Sequence, residues 1–200
     1  IDNPAHMGDD RHRPDDQQLV DLVEIELVAR QLECCRQAFR HVVGDRGIFH
    51  TLATFSPESY KLDTAFVQYV GTKIVIYLSQ NAPAGGFTQA EIAALGETFD
   101  KDLYPIDVNA FGPASDIDGN GLLLILMTPK VNSLVTKSEC ATAGYIGGYF
   151  DPIDLVPGFS NSTRAEIFYT IVPDPNGVLS CAHPVAAASR SMVGTFIHEF

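Results

Sequence analysis

The sequence has no apolar run of the roughly 18 residues that a membrane-spanning helix requires, so we expect no membrane anchor. It has no basic stretch longer than Arg11-His12-Arg13, and its formal net charge is -12. Because nucleic-acid binding depends on neutralising phosphates, this charge balance argues against a nucleic-acid partner. The sequence also contains no Gly-x-Ser-x-Gly elbow, no phosphate-binding loop and no dinucleotide fingerprint. These absences argue against several common classes of membrane, nucleic-acid-binding and nucleotide-binding proteins.

Cysteine is scarce, with four residues in the chain. Cys34 and Cys35 are adjacent, Cys140 and Cys181 are far apart, and no Cys-x-x-Cys spacing indicates a zinc site built from cysteines. A disulfide between Cys140 and Cys181 would fit an exported protein, since both lie in predicted loops. The alternative is that all four are reduced and buried as small apolar residues. We favour a secreted or extracytoplasmic location.

The composition is that of a globular chain, with 46% hydrophobic and 19% charged residues among 200. Residues 1–44 form the first predicted segment, a polar lead-in followed by a long amphipathic helix that ends at Gly44. Residues 45–200 form the second predicted segment.

The second segment alternates between β-rich and helical patterns. Strands are predicted in runs rich in β-branched, aromatic or apolar residues: 48–52, 64–70, 73–78, 122–127, 143–150 and 165–172. Thr88 and Glu91 have the spacing of a capping box, and the helix that they begin should stop before Pro105. The continuous apolar strand at 122–127 suits the middle of a sheet covered on both faces. The fold class predicted is α+β, with one mixed, twisted sheet and helices packed against it.

The last stretch of the chain carries the strongest chemical signal. Val185 to Glu199 has apolar residues at helical spacing, and Pro184 stands where a helix start favours proline. The helix ends in His198-Glu199, the first half of the H-E-x-x-H signature, in which two histidines bind zinc and the glutamate handles a proton. A lone histidine on an apolar helix is also a common core residue, so the dipeptide alone does not decide.

Several separated stretches, in this order, resemble the bacterial hyicolysin-type zinc metallopeptidases. The stretches are Tyr77 to Asn109, with Ala82-Pro83-Ala84-Gly85-Gly86-Phe87-Thr88 and Leu103-Tyr104-Pro105-Ile106-Asp107 inside it, then Asp116 to Gly121, Gly147 to Asp151, Glu166 to Tyr169 and Gly194 to Phe200. The resemblance covers residues 44 to 200 and implies the upper subdomain of a zincin-like fold. Residues 45–200 would then be the N-terminal part of a zincin-like metallopeptidase domain that is incomplete at its C-terminus. It further implies an exported endopeptidase with one zinc ion and peptide or protein substrates.

The resemblance assigns two residues to the active site. His198 would be a zinc ligand and Glu199 the general base that takes a proton from water and passes it to the leaving amine. The second histidine and a glutamate ligand would follow Phe200. Because catalytic zinc sites use three protein ligands, we expect no zinc binding and no peptidase activity from the 200-residue chain alone.

Two further sites are candidates. Gly144, Gly147, Gly148 and Tyr149 lie on a predicted strand that the family resemblance makes the edge with which an extended substrate pairs; the alternative is that its glycines mark a bulge or a tight bend. Asp116, Asp118 and Asn120 have the spacing that opens a calcium loop, and Gly121 follows. Position 12 of that loop is Met127 rather than glutamate, so an ordinary turn is the alternative.

Two other functions compete with the peptidase. One is a non-catalytic zincin-like or calcium-stabilised surface domain that binds a peptide along the edge strand. The other is a purely structural α+β domain in which His198 is a core residue.

Overall fold

The structure is a computed structural model and describes residues 41–199. Within this range are six β-strands: β1 (Arg46–Phe55), β2 (Glu58–Val70), β3 (Ile74–Ser79), β4 (Leu123–Met127), β5 (Gly148–Phe150) and β6 (Ile167–Thr170). The same range has five α-helices: α1 (Gln89–Thr98), α2 (Tyr104–Phe111), α3 (Pro129–Asn132), α4 (Lys137–Ala143) and α5 (Val185–Glu199). A π-helical turn (Phe99–Leu103) and a 3-10 turn (Pro152–Leu155) complete the described elements. The class is α+β, as predicted.

The strands form one mixed sheet in the order β1-β2-β3-β4-β6-β5. β1 pairs with β2 and β2 with β3 in antiparallel hairpins, whereas β3, β4 and β6 run parallel to one another. β5 returns antiparallel to β6 and occupies one edge of the sheet. The sheet therefore has a parallel centre and an antiparallel strand at each edge, which is a common arrangement for mixed sheets.

β4 lies at the centre of the sheet, and the prediction of a strand covered on both faces is confirmed. All five of its residues are buried, because its side chains alternate between two separate apolar layers. Leu124 and Leu126 join the layer that also contains Phe49, Val67 and Tyr169. The other layer receives Leu123, Ile125 and Met127, and it contains the apolar faces of α1 and α5. The latter layer supports the helix that ends in His198-Glu199.

The helix predicted at Thr88 begins as expected, but it continues differently. Thr88 and Glu91 form a reciprocal capping box at the start of α1. As predicted, α1 ends before Pro105, at Thr98, but the chain stays helical beyond it: the π-helical turn follows, and Pro105 lies in the first turn of α2. Proline is accommodated there because its nitrogen needs no hydrogen-bond partner in the first turn of a helix.

Two short helices between β4 and β5 were not predicted. The second, α4, starts with a capping box formed by Thr136 and Glu139, a signal that the sequence already contains. Gly144 ends this helix with a φ of 95°. The predicted strand at 143–150 therefore shortens to Gly148–Phe150, since positive φ favours glycine after a helix and is incompatible with a strand.

Most of the amphipathic helix predicted before Gly44 lies outside the described residues. Its last positions, residues 41–43, are described and are not helical. They form a turn in which the Asp45 carboxylate accepts a hydrogen bond from the Val42 amide at 2.9 Å, and Gly44 has a φ of 95°. The prediction of a helix over residues 41–43 was therefore wrong, and the boundary at residue 44 stays a prediction.

A disulfide joins Cys140 in α4 to Cys181, with 5.9 Å between their Cα atoms. It closes a stretch of chain that contains β5 and β6 and ends just before α5. In the part of the chain that the structure describes, no helix is both long enough and apolar enough to cross a bilayer.

Candidate functional site

The helix α5 positions the His-Glu pair. Its first turn is fixed at Pro184, whose carbonyl oxygen accepts hydrogen bonds from the amides of Ala187 and Ala188. Its buried face consists of Ala188, Met192, Thr195 and Phe196. Because His198 and Glu199 lie off this buried stripe, the imidazole is exposed and the carboxylate is half-buried. His198 is therefore not a core residue.

The Glu199 carboxylate contacts the edge strand. Its Oε2 atom accepts a hydrogen bond from the backbone amide of Phe150 at 2.9 Å. The register of β5 explains why this amide is free to bind Glu199. The Ile171 amide donates to the Gly147 carbonyl oxygen, so Gly147 faces β6 with its hydrogen-bonding groups. Because these groups alternate in direction along an antiparallel strand, Gly148 and Phe150 turn their amides and carbonyls away from β6. The end of α5 is thus held against the free edge of the sheet.

An open cleft of about 510 Å³ lies between α5 and the segment that leads into β5. Its walls are formed by residues from both sides: Tyr145, Ile146, Gly147, Gly148, Ser191, Gly194, Thr195, His198 and Glu199. The predicted pair His198 and Glu199 and two of the predicted edge glycines therefore meet in one depression. Glu199 and Phe150 also line a second, largely apolar cavity of about 260 Å³.

The two edge glycines allow the strand and the helix to approach each other closely. A Cβ on Gly148 would lie 2.4 Å from Thr195 Cγ2 and 2.5 Å from the Tyr169 carbonyl oxygen. A Cβ on Gly147 would lie 2.8 Å from Ser191 Oγ. Their small size is thus required by packing, whatever else the strand does.

Of the other two predicted edge residues, Tyr149 lies in β5 and Gly144 does not. Gly144 ends α4, and its φ of 95° takes it out of the strand. The Tyr149 ring stacks on Tyr169 with 4.6 Å between ring centroids, and its hydroxyl accepts a hydrogen bond from the Leu52 amide. This side chain packs on the sheet, so only its backbone belongs to the edge.

The donors beside the cleft are too few for catalytic zinc. Among residues 41–199, His198 belongs to no group of three or more histidine, cysteine or carboxylate side chains with donor atoms close enough to share an ion. Catalytic zinc requires three protein ligands, and one imidazole with one carboxylate does not supply them. The described residues alone therefore do not fit this metal.

The turn predicted as a calcium site is well ordered by its own hydrogen bonds. Asp116 Oδ1 accepts from the Gly121 amide at 2.9 Å, and Asp118 Oδ1 accepts from the Asn120 amide at 3.1 Å. Asn120 Oδ1 accepts from the Leu122 amide at 2.6 Å. Gly119 and Gly121 both have a φ of 71°, which the tight turn requires of them.

Glu166 was not recognised as a site residue from the sequence, although it lies beside this turn. Carboxylate oxygens of Asp116, Asp118 and Glu166 lie within 4.8 Å of one another. Burial is the first cause that raises the pKa of Asp118, and the negative charges of Glu166 and Asp116 raise it further. The available signal was a single glutamate at the start of an otherwise apolar strand pattern, but only the sheet order places it beside the turn.

Similarity to a curated protein relates this chain to the metallopeptidases. That protein is the neutral metalloprotease ShpI of Staphylococcus hyicus, which is 36% identical over 110 residues. The matched region is 52% of this chain and 22% of the protease, so the chain corresponds to a minor part of its relative's length. No protein-family model matches the chain.

Proposed function

We propose that the chain is the N-terminal part of the catalytic domain of a secreted, zincin-like zinc endopeptidase of the hyicolysin type. The observation that carries the proposal is the cleft between α5 and β5, in whose wall His198 and Glu199 stand together. The metalloprotease relative supports it independently, since a metalloprotease is an enzyme of the same class. The disulfide between Cys140 and Cys181 is typical of proteins outside the cytoplasm and supports the secreted location.

In this proposal His198 is one metal ligand and Glu199 is the proton acceptor. Glu199 suits the role because its Oε2 is held by the Phe150 amide while the carboxylate still borders the cleft. The remaining metal ligands are assigned to residues that follow Phe200. For the same reason we expect the 200-residue chain to bind no catalytic zinc and to hydrolyse no peptide bond by itself.

The edge strand β5 is the proposed substrate-binding element. By the alternation of an antiparallel pair, Gly148 directs both its amide and its carbonyl outward, and Phe150 directs its carbonyl outward. An extended peptide could pair with these groups as an added strand. The Phe150 amide on the same edge donates to the Glu199 carboxylate, so a peptide paired with this edge would lie directly beside that carboxylate.

The alternative proposal is a non-catalytic domain that binds a peptide along the same edge. The packing role of Gly147 and Gly148 is common to both proposals, because α5 approaches them in either case. What separates the proposals is the rest of the metal site.

The first test is the coding sequence after Phe200. Histidine at the third position after Glu199 and a glutamate on a following helix are expected of the enzyme. Any other residue at that third position favours the peptide-binding domain.

The second test is biochemical. The longer protein is expected to contain one zinc per chain and to cleave denatured casein, whereas the 200-residue chain should do neither. One equivalent of zinc bound by the 200-residue chain would contradict the assignment of the missing ligands.

A further inference from the structure

A buried carboxylate without a full set of partners lies beside the Asp116–Gly121 turn. Glu166 immediately precedes β6 and is 6% exposed. Its Oε1 atom accepts hydrogen bonds from the Ser115 hydroxyl at 2.7 Å and the Ile117 amide at 2.9 Å. Its Oε2 atom is buried and has no hydrogen-bond partner. An unpaired carboxylate oxygen in the interior is costly, so its presence requires an explanation.

The surroundings of Glu166 add negative charge instead of compensating for it. Oxygens of Asp116 and Asp118 lie within 4.8 Å of one of its own. Among residues 41–199, no lysine, arginine or histidine forms an ion pair with any of the three carboxylates. Lys73 and Asp116 line one depression of about 190 Å³, but the Lys73 ammonium group lies over the Tyr104 ring, 5.5 Å from the centroid.

We propose that Asp116, Asp118 and Glu166 form a calcium-binding site. Calcium takes carboxylate oxygens at about 2.3–2.6 Å, so two oxygens on one ion lie at most about 5 Å apart. The three carboxylates satisfy this limit without any rearrangement. The ion would neutralise the cluster, and binding through both oxygens of Glu166 would also give the unpaired Oε2 a partner.

The turn and the strand contribute complementary parts of this site. Asp116 and Asp118 have the alternating spacing of a calcium loop, and the amides of Asn120 and Gly121 orient them. A calcium loop of the usual length would end in a glutamate of its own, where this chain has the buried Met127. Glu166, which immediately precedes the neighbouring strand β6, would supply the missing glutamate carboxylate.

Calcium fits the donors better than the other common metal ions. All three side chains offer oxygen only, whereas structural zinc sites draw on cysteine and histidine. Magnesium demands a near-ideal octahedron at about 2.0–2.1 Å and usually keeps several of its waters, so a site built from three protein carboxylates suits calcium better. Bound calcium would fasten the turn that leads into β4 to the start of β6, and thus hold together the two central strands.

The test measures calcium binding by the full 200-residue chain, freed of metal with EGTA. Titration calorimetry with calcium chloride should give one ion per chain. At calcium concentrations a hundredfold above the dissociation constant, the Tm should rise by about 5 °C or more. Magnesium chloride at the same concentration should raise it much less.

Two variants locate the site. Glu166→Gln keeps the size and the Oε1 acceptor but removes one of three charges, and it should weaken calcium binding by about tenfold or more. Asp116→Asn, at an exposed position, should weaken it similarly while leaving the core intact. Glu97→Gln, in the exposed pair with Lys101, is the matched control and should bind calcium as the parent does.

Three results would overturn the proposal. The first is no calcium binding by the parent chain. The second is an unchanged calcium-induced Tm rise in both site variants. The third is a loss of calcium affinity in Glu97→Gln as large as that in the site variants. Circular dichroism shows whether each variant folds. If Glu166→Gln does not fold, the calcium affinity of Asp116→Asn alone tests the site. None of these measurements uses peptidase activity. The calcium site can therefore be rejected without rejecting the proposed peptidase function, and the peptidase function can be rejected without rejecting the calcium site.

Discussion

The carboxylate of Glu199 and the backbone amide of Phe150 are joined by a hydrogen bond of 2.9 Å. This contact connects the last turn of α5 with the free edge of the sheet, so Glu199 has a structural role besides the proposed chemical one. Two substitutions at this position separate the two roles.

Glu199→Gln retains an oxygen that can accept from Phe150, whereas Glu199→Ala retains none. We expect the alanine variant of the 200-residue chain to lose about 1 kcal/mol of unfolding free energy and the glutamine variant to lose less than about 0.5 kcal/mol. In the longer protein, both variants should lose casein hydrolysis, and Glu199→Gln should keep its metal. Urea unfolding, metal analysis and a casein assay measure the three quantities. Hydrolysis retained in Glu199→Gln would exclude Glu199 as the proton acceptor.

Gly148 and Gly194 face the same cleft but differ in the space around them. A Cβ at position 148 would overlap Thr195 and the Tyr169 carbonyl, so Gly148→Ala should cost about 1–3 kcal/mol of stability. Gly194 has no atom within 4 Å of a built Cβ and lies inside α5, so Gly194→Ala should stabilise the chain by about 0.5–1 kcal/mol. Urea unfolding of both variants tests the close packing of β5 on α5. Equal effects from the two substitutions would contradict it.

The Cys140–Cys181 disulfide should contribute to stability because it closes a loop between residues 41 apart in sequence. Replacing both cysteines with alanine should lower the unfolding free energy by about 2–4 kcal/mol. Adding dithiothreitol should then change the Tm of the parent but not of this variant. The Cys34→Ala/Cys35→Ala variant is the control, and it should remain sensitive to the reductant. If the parent Tm is the same with and without reductant, the disulfide is not formed in solution.

His183 should make stability depend on pH. Burial lowers the pKa of this imidazole from 6.5, and the nearby Asp174 charge opposes the effect only in part. Its ring packs edge-on against Tyr145, with 4.4 Å between centroids. A group whose pKa is lowered in the folded state contributes stability that is complete above its unfolded pKa and is lost as the pH falls. We therefore expect the unfolding free energy to fall below about pH 6.5 as His183 takes up its proton more readily in the unfolded chain.

The comparison of parent and His183→Gln isolates this contribution. Urea unfolding between about pH 8 and pH 5 should give a smaller slope for the variant, because other titrating groups are common to both chains. Parallel curves for the two proteins would show that His183 is not the cause.

Local patterns in the sequence predicted much of the fold. The helix Val185–Glu199 was predicted with its observed bounds, because Pro184 and a regular apolar face are both local signals. The central position of β4 followed from its continuous apolar run. The strand predicted at residues 143–150 was too long, because Gly144 belongs to the end of a helix that Thr136 and Glu139 cap at its start.

The candidate site was predictable only where its residues are close in sequence. His198 and Glu199 form a recognisable dipeptide, and the Asp116–Gly121 turn has a recognisable spacing. The hydrogen bond from Phe150 to Glu199 and the approach of Glu166 to Asp118 both join segments about 50 residues apart. Contacts of this kind depend on the order of strands in the sheet, which no local pattern specifies.

The disulfide between Cys140 and Cys181 has a consequence for a chain exposed to proteolysis. It brackets the segment that carries both β5 and β6. One cut anywhere between the two cysteines would leave both pieces covalently attached, and the strands could stay in register across the nick. The edge of the sheet could therefore survive a single cleavage that would separate an unlinked chain into two fragments.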